Sequence, residues 1–170
     1  QFYQLYVPPD LTKKYNGESR FAATIAANVG IRRASGEHIC FSAADTLFPS
    51  NFFEKFKPND EKTLYGVSRK NLPAYLSTKT WPEIKAAMNA DKKPPISMMS
   101  APNYLGNCGL FVMSRSLWRE MRGLTEKIIH WGWADSEFVI RMMMKGYKVK
   151  PDYSVSVFHI MHKQIPGTKV

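Results

Sequence analysis

The sequence is too poor in cysteine for a disulfide framework: Cys40 and Cys108 could form at most one bridge. Both stand in apolar runs, where a buried free thiol is the expectation, so cysteine use bounds the compartment only weakly. Nowhere does the chain gather the ~18–20 consecutive apolar residues of a membrane span, and its start lacks the pattern of a signal peptide. A cytoplasmic or peripheral-membrane location is the resulting expectation. Methionine is missing before Met88, so Gln1 is expected to be a processed start or the edge of a piece of something longer. Acids are the minority charge, 14 against 24 Lys and Arg, for a net +10. Such a surplus favours polyanions, whether nucleic acid, acidic lipid headgroups or phosphorylated substrates. The bases come in pairs such as Lys13-Lys14, Arg32-Arg33 and Lys92-Lys93, which also suits a plain solvated surface. A single-strand nucleic-acid module would interleave exposed aromatics with bases. The sequence has no such stripe, so no specific nucleic-acid partner is expected.

What the sequence does have is core material. At 170 residues, 44% hydrophobic and 13% aromatic, it suffices for one domain over 1–170. QFYQLYVP (1–8) reads as a strand running into a turn. Residues 21–34 read as a helix breaking near Gly36, and HICFSAAD (38–45) as a strand buried on both faces. A short helix is expected over 51–56, capped by Ser50, and another over 81–90 with Pro82 in its first turn. The rest of 57–103 is the least regular part. GLFVMS (109–114) reads as a second buried strand and 115–121 as a helix. Residues 135–145 read as an amphipathic helix, with Phe138, Val139, Met142 and Met143 on one face and Gly146 closing it. YKVKPDYSVSVFHI supplies a final strand or pair. Strands alternating with helices point to an α/β domain with a largely parallel sheet.

In open α/β sheets, ligands bind at the carboxyl ends of strands. Asp45 falls at that end of 38–45. It either caps the turn before Pro49 or holds a divalent cation against a diphosphate. Asp135 and Glu137 open a helix after the turn His130-Trp131-Gly132-Trp133. Asp135 is an N-cap or first-turn acid, and the helix dipole that favours it there also keeps it ionised, as a general base must be. Glu137 lies on a different face and reads as a support. His159 and His162 offer imidazole ligands for Mn²⁺-like ions. Three apart in a strand they would face opposite ways, so at most one is expected to reach a site unless the chain turns.

Taken together, these residues look like a family. ANVGIRRASGEHICFSAADTLFPSNFFEKF (27–56) resembles the segment of GT-A-type nucleotide-sugar glycosyltransferases in which Asn-x-Gly and Ala-x-Gly-Glu precede the strand carrying Asp-x-Asp. GNCGLFVMSRSLWREMRGLTEKIIHWGWADSEFVIRMMMKGYKV (106–149) resembles their acceptor-side segment with its Trp-Gly-Gly-Glu-Asp-like motif. VFHIMHKQIP (157–166) resembles the later segment bearing a metal-binding His in polypeptide N-acetylgalactosaminyltransferases and β-galactosyltransferases.

The resemblance implies a single GT-A-like, Rossmann-like domain, with 1–56 on the donor and metal side and 104–165 on the acceptor and catalytic side. Its activity would be hexosyl transfer from a nucleotide-diphosphate donor, a UDP-sugar being favoured, to a glycan or other hydroxyl. It implies Mn²⁺ or Mg²⁺ held by Asp45 and His159, with Asp135 as the base of an inverting reaction. Trp131 and Trp133 would form a sugar platform. Gly132, Glu137, Gly109, Ala43 and Asn28 would belong to the substrate-binding surface. Departures are specific: Ala43 stands for the first acid of Asp-x-Asp, Ala134 for the Glu of the later motif, and Trp133 for its second Gly. Nothing before Asn28 matches the family's Pro-x-Tyr-Asn strand or its Asp-Asp-Gly-Ser-like segment. The first nucleotide-binding βα units are therefore missing or atypical, which leaves room for a completing domain or chain. The alternative reading is a catalytically impaired relative that binds nucleotide sugar or carbohydrate.

Overall fold

A computed structural model of the chain describes residues 8, 10, 23–95, 110–128 and 133–162. The expected strand at 1–8, Cys108, Gly109, Trp131 and Gly132 lie outside them, apart from Pro8. In chain order the elements are α1 (Ala23–Arg33), β1 (His38–Ser42), β2 (Thr46–Leu47), α2 (Phe52–Lys55), β3 (Thr63–Leu72) and a 3₁₀ turn (Ala74–Thr78). They continue with α3 (Trp81–Ala90), β4 (Leu110–Ser114), α4 (Arg115–Glu120), α5 (Ala134–Met144) and β5 (Lys148–Ile160).

The expected α/β class holds, with helices flanking a five-stranded sheet of order β1-β4-β3-β5-β2. The expected parallel sheet does not. β1/β4, β3/β4 and β2/β5 pair antiparallel, and only β3/β5 pair parallel. A buried apolar run tells that both faces are covered, not which way the neighbouring strand runs. Here the long connection from β3 through α3 lets β4 return in the opposite sense and wedge between β1 and β3. Because β1 and β3 both oppose β4, they run in the same direction, as does β5. The carboxyl ends of these three strands therefore still share one end of the sheet, and that positions the site.

The longest surprise is β3. Its first part, Thr63 to Ser68, is wholly buried and rich in β-formers. Gly66 and the polar run Arg69-Lys70-Asn71 hide that strand from periodicity. β5 pairs with all ten β3 residues but slips register after Val67, so that three β5 residues bulge out. Asp152 organises the bulge by accepting from the Ser154 amide at 2.9 Å.

Two apolar layers sandwich the sheet. On one face Leu64, Phe111 and Met113 pack under Leu117, Trp118, Phe138, Val139 and Met142 of α4 and α5. Trp118 and Phe138 stack with centroids 4.7 Å apart. Full burial of each such side chain contributes roughly 1.5–3 kcal/mol. On the other face Tyr65, Val67, Val112, Val155 and Val157 meet Phe52 and Phe56 from α2 and its C-terminal edge. Helix α3 spans the expected residues and carries a capping box between Thr80 and Glu83. Three local expectations need correction. Met143 is 49% exposed and so lies off the buried face of α5. The cap of α2 is Asn51, without a side-chain bond, in place of Ser50. Cys40 is exposed on the edge strand β1, because its partner layer covers only the side of the sheet that Ile39 and Phe41 face.

Among the described residues, no helix is long and apolar enough to cross a membrane.

Candidate metal and sugar-transfer site

β1 ends at Ser42 and the chain turns at once, closed by the Thr46 amide donating to the Ala43 carbonyl at 3.2 Å. Ala43, Ala44 and Asp45 are exposed on that turn. Two-residue β2 then pairs antiparallel with the end of β5, setting Thr46 opposite His159. This pairing brings Asp45 beside residues over a hundred positions later in the chain.

Asp45 Oδ2 lies 3.0 Å from His159 Nε2 and 3.3 Å from His162 Nε2. The two imidazole centroids are 5.2 Å apart, tilted by 62°. Among the described residues these three form the one group of acidic, His or Cys side chains whose donor atoms cluster within 4.8 Å. His159 is mostly buried, its side chain 14% exposed, while Asp45 and His162 are open to solvent. Partial burial pushes the Asp45 carboxyl up. The charge on His159 and hydrogen bonds from His162, its own backbone and His159 outweigh that and hold it below the usual carboxylate range.

A donor set of two imidazoles and one carboxylate is chemically suited to a first-row divalent ion. Ligand atoms bound at about 2.0–2.2 Å to one ion sit roughly 3 Å from each other. The two spacings from Asp45 match that edge, so the residues fit an ion as well as they fit a hydrogen-bonded triad. Both histidines reach the Asp45 carboxylate because the stated exception, a chain that turns out of the strand, applies here. β5 stops at Ile160, the Met161 amide donates to the Leu72 carbonyl at 2.9 Å, and the chain then leaves strand geometry. His162 thereby reaches the same carboxylate as His159.

Asp135 sits in the first turn of α5, with the N-cap position taken by Trp133. Its Oδ1 accepts from the adjacent Ser136 amide at 2.9 Å, a first-turn placement that the helix dipole favours. Among the described residues, no hydrogen bond or ion pair joins Asp135 to the Asp45 group. Trp133 is 58% exposed and holds φ +64°, a left-handed conformation. That is the position at which the resembled motif has Gly, and it costs an L-residue roughly 1–2 kcal/mol.

Glu137 stands in the same first turn of α5. It pairs with Arg141 at 2.6 and 3.1 Å, and Arg141 in turn donates to the carbonyls of Met121 and, at 2.8 Å, Gly123. Helix α5 is thereby tied to the end of α4. Trp133, Glu137, Ile140 and Met144 line an open, mostly apolar groove of ≈ 610 Å³ along α5. The groove shares no residue with the Asp45 group. This groove and the ligand cluster are therefore separate features.

Asn28 is occupied elsewhere. It is 2% exposed, donates to the Leu124 carbonyl (2.8 Å) and Glu126 Oε1 (2.9 Å), and accepts from the Leu124 amide (2.8 Å). Those bonds clamp α1 to the segment after α4, which makes its work architectural. Sequence reasoning overlooked Arg69 and Asn71. They stand on β3 beside His159, with Asn71 directly opposite it. The available signal was a polar run ending a β-forming stretch, which is weak.

A comparison with curated proteins finds no match to the chain. A family model described as the N-terminal domain of galactosyltransferase matches residues 93–163. The matched span contains α5 with Asp135 and Glu137, the whole of β5 with His159, and His162 just beyond it. It supports glycosyltransferase activity in general terms, with a nucleotide-sugar donor and an acceptor as the binding partners that such activity entails. Over residues 93–163 the chain is thus similar to the galactosyltransferase-like glycosyltransferase domain that the family model describes.

Proposed function

We propose that this chain transfers a hexose from a nucleotide-diphosphate donor, a UDP-sugar being favoured, to a hydroxyl acceptor in a metal-dependent, inverting reaction. The observation that carries the reading is the meeting of Asp45, His159 and His162 at the carboxyl ends of co-directional strands. The ligand that Ala43 lacks in the turn is replaced, in this reading, by His162. Two imidazoles favour a transition ion such as Mn²⁺ over Mg²⁺. A divalent ion bound there neutralises charge developing on the departing diphosphate.

In the proposed reaction Asp135 takes the acceptor hydroxyl's proton while that oxygen bonds to the anomeric carbon. The bond from this carbon to the diphosphate breaks, and its electron pair leaves with the diphosphate. Attack opposite the leaving group inverts the centre. Trp133 offers an aromatic face to the C–H face of a sugar at the mouth of the α5 groove, and Glu137 keeps that helix in place through Arg141. A further domain or chain that completes the base pocket belongs to the same proposal, as does peripheral contact with a membrane bearing the acceptor.

The test is a panel of nucleotide sugars, with acceptor and with water, in the presence and absence of Mn²⁺. Turnover that needs Mn²⁺ and falls about 10²–10⁴-fold in Asp135→Asn supports the proposal. A folded protein that turns over no donor overturns it. One observation favours a second reading: the exposed Ala43 leaves the turn with a single acid. A binding relative without catalysis would hold nucleotide sugar equally well with Asp135→Asn and turn over none in either form.

A further inference from the structure

We infer that Arg69 makes ion and diphosphate binding interdependent at the Asp45–His159–His162 group, opposing a bare divalent ion and favouring one that arrives with a diphosphate. The inference rests on the metal reading above and adds to it the residue that governs what the ion must bring.

The geometry comes from the β3/β5 register. Arg69 stands opposite Val157 and Asn71 opposite His159. Side chains two apart in a strand share a face. Val157 and Val67 both lie in the layer under Phe52, so Arg69, Asn71 and His159 line that same face toward the carboxyl ends of both strands. Lys70 points to the opposite side, where it is held by Asp91 at 3.6 Å and donates to the Asp91 carbonyl at 3.1 Å. Among the described residues Arg69 has no such partner. It is half-buried, and its Nε is shut off from solvent without an acceptor. Burial pulls its pKa down, and the charge on Asp45 opposes that pull.

Two more orphans lie in the same row: Asn71 Oδ1 and His159 Nδ1 are also buried without partners. Buried polar atoms are nearly always paired in folded proteins, and leaving a donor without an acceptor is unfavourable. A guanidinium missing its acceptor beside a cation-binding group suits a phosphate oxygen, which its fork of N–H donors matches.

The electrostatics then set the coupling. Asp45 attracts both Arg69 and an ion, but the ion and Arg69 repel each other, more strongly where water is partly excluded. An ion alone leaves the site with surplus positive charge. A diphosphate lying between ion and guanidinium removes that surplus and gives the Arg69 Nε its acceptor. Each ligand must then raise the affinity of the other by the same factor.

Calorimetric titrations with Mn²⁺ alone, and with inorganic pyrophosphate in the presence and absence of Mn²⁺, test this without turnover. In the unmodified protein, pyrophosphate should raise Mn²⁺ affinity by a factor of about 5–150. Arg69→Gln should tighten binding of Mn²⁺ alone and weaken pyrophosphate by about tenfold or more. Arg69→Lys should keep most of the coupling, since it keeps the charge. Opposite movements of the two affinities separate this role from general damage to the fold. If Arg69→Gln weakens both ligands together, or alters neither, the inference fails while the metal reading stands. If Mn²⁺ does not bind the unmodified protein, or binds equally well to Asp45→Ala, the metal reading fails and takes this inference with it.

Discussion

Asp45 Oδ2 and His159 Nε2 lie 3.0 Å apart although 114 positions separate them in the chain. A short strand, β2, makes that meeting by pairing with the last residues of β5. His162 joins from just beyond the strand end. The proposed ion binding follows from this junction between the turn after β1 and the end of β5.

Loss of one imidazole should be felt first in ion affinity. His162→Ala and His159→Ala should each weaken Mn²⁺ by more than the roughly 10–100-fold typical of removing an outer partner of a metal ligand. Mn²⁺ affinity in both should be measured at pH 7.5 and again at pH 5.5. Binding to the unmodified protein should weaken on acidification, because protons compete for imidazole nitrogen. Equal affinity at the two pH values would count against imidazole ligation.

Asp45 also makes stability depend on pH. Its carboxyl titrates below its unfolded range, because attraction and hydrogen bonds from the two histidines outweigh its partial burial. A lowered folded pKa stabilises the protein above the unfolded value, about 3.9, and the contribution is lost as pH falls through the folded value. Urea titrations of the protein and of Asp45→Asn should therefore differ at pH 6, and the difference should shrink as the pH falls below the unfolded value of about 3.9. Curves that stay parallel down to pH 3 would show that the carboxylate contributes nothing to folding.

Asn28 and Gly123 form a structural clamp. Gly123 has φ +71°, and a Cβ there would lie 2.3 Å from Asn28 Oδ1. Gly123→Ala should therefore destabilise by more than the ~1–2 kcal/mol of left-handed backbone strain alone. Asn28→Ala leaves both the amide and the carbonyl of Leu124 unpaired and should lose ~2–4 kcal/mol, while KM for a donor stays unchanged. Chemical denaturation checks the first quantity and steady-state kinetics the second. A raised KM with intact stability would return Asn28 to the substrate surface.

Trp133 sets stability against use. At φ +64° it occupies a glycine-favouring conformation with most of its ring exposed. Strain retained in this way tends to sit at binding sites. Trp133→Gly should hold or raise the melting temperature by relieving about 1 kcal/mol, yet weaken sugar acceptor binding. A variant that loses stability would show the indole to be a packing element.

Much of this was legible in the amino-acid order, for identifiable reasons. β1 and β4 are continuous apolar runs, α3 announces itself with Thr80, Pro82 and Glu83, and α5 with its Phe138–Met142 stripe and closing Gly146. Asp45 and His159 stand out as carboxylate and imidazole at strand ends. Three features were not legible because they are tertiary. Strand direction depends on how β4 wedges between β1 and β3, which no local pattern encodes. β3 is disguised because Gly66 and the polar run Arg69, Lys70 and Asn71 interrupt its apolar alternation. His162 looked excluded by the two-residue repeat of a strand, and it reaches Asp45 only because β5 stops at Ile160.

The most direct test of the central claim is to count the nitrogens around a bound ion. Pulsed electron paramagnetic resonance on Mn²⁺-loaded protein, with histidine labelled by ¹⁵N, reads coupling from each ligating imidazole. The account predicts two imidazole nitrogens, one remaining in either His159→Ala or His162→Ala, and loss of ordered binding in Asp45→Ala. Mn²⁺ bound with no imidazole coupling, and unchanged in all three variants, would contradict it.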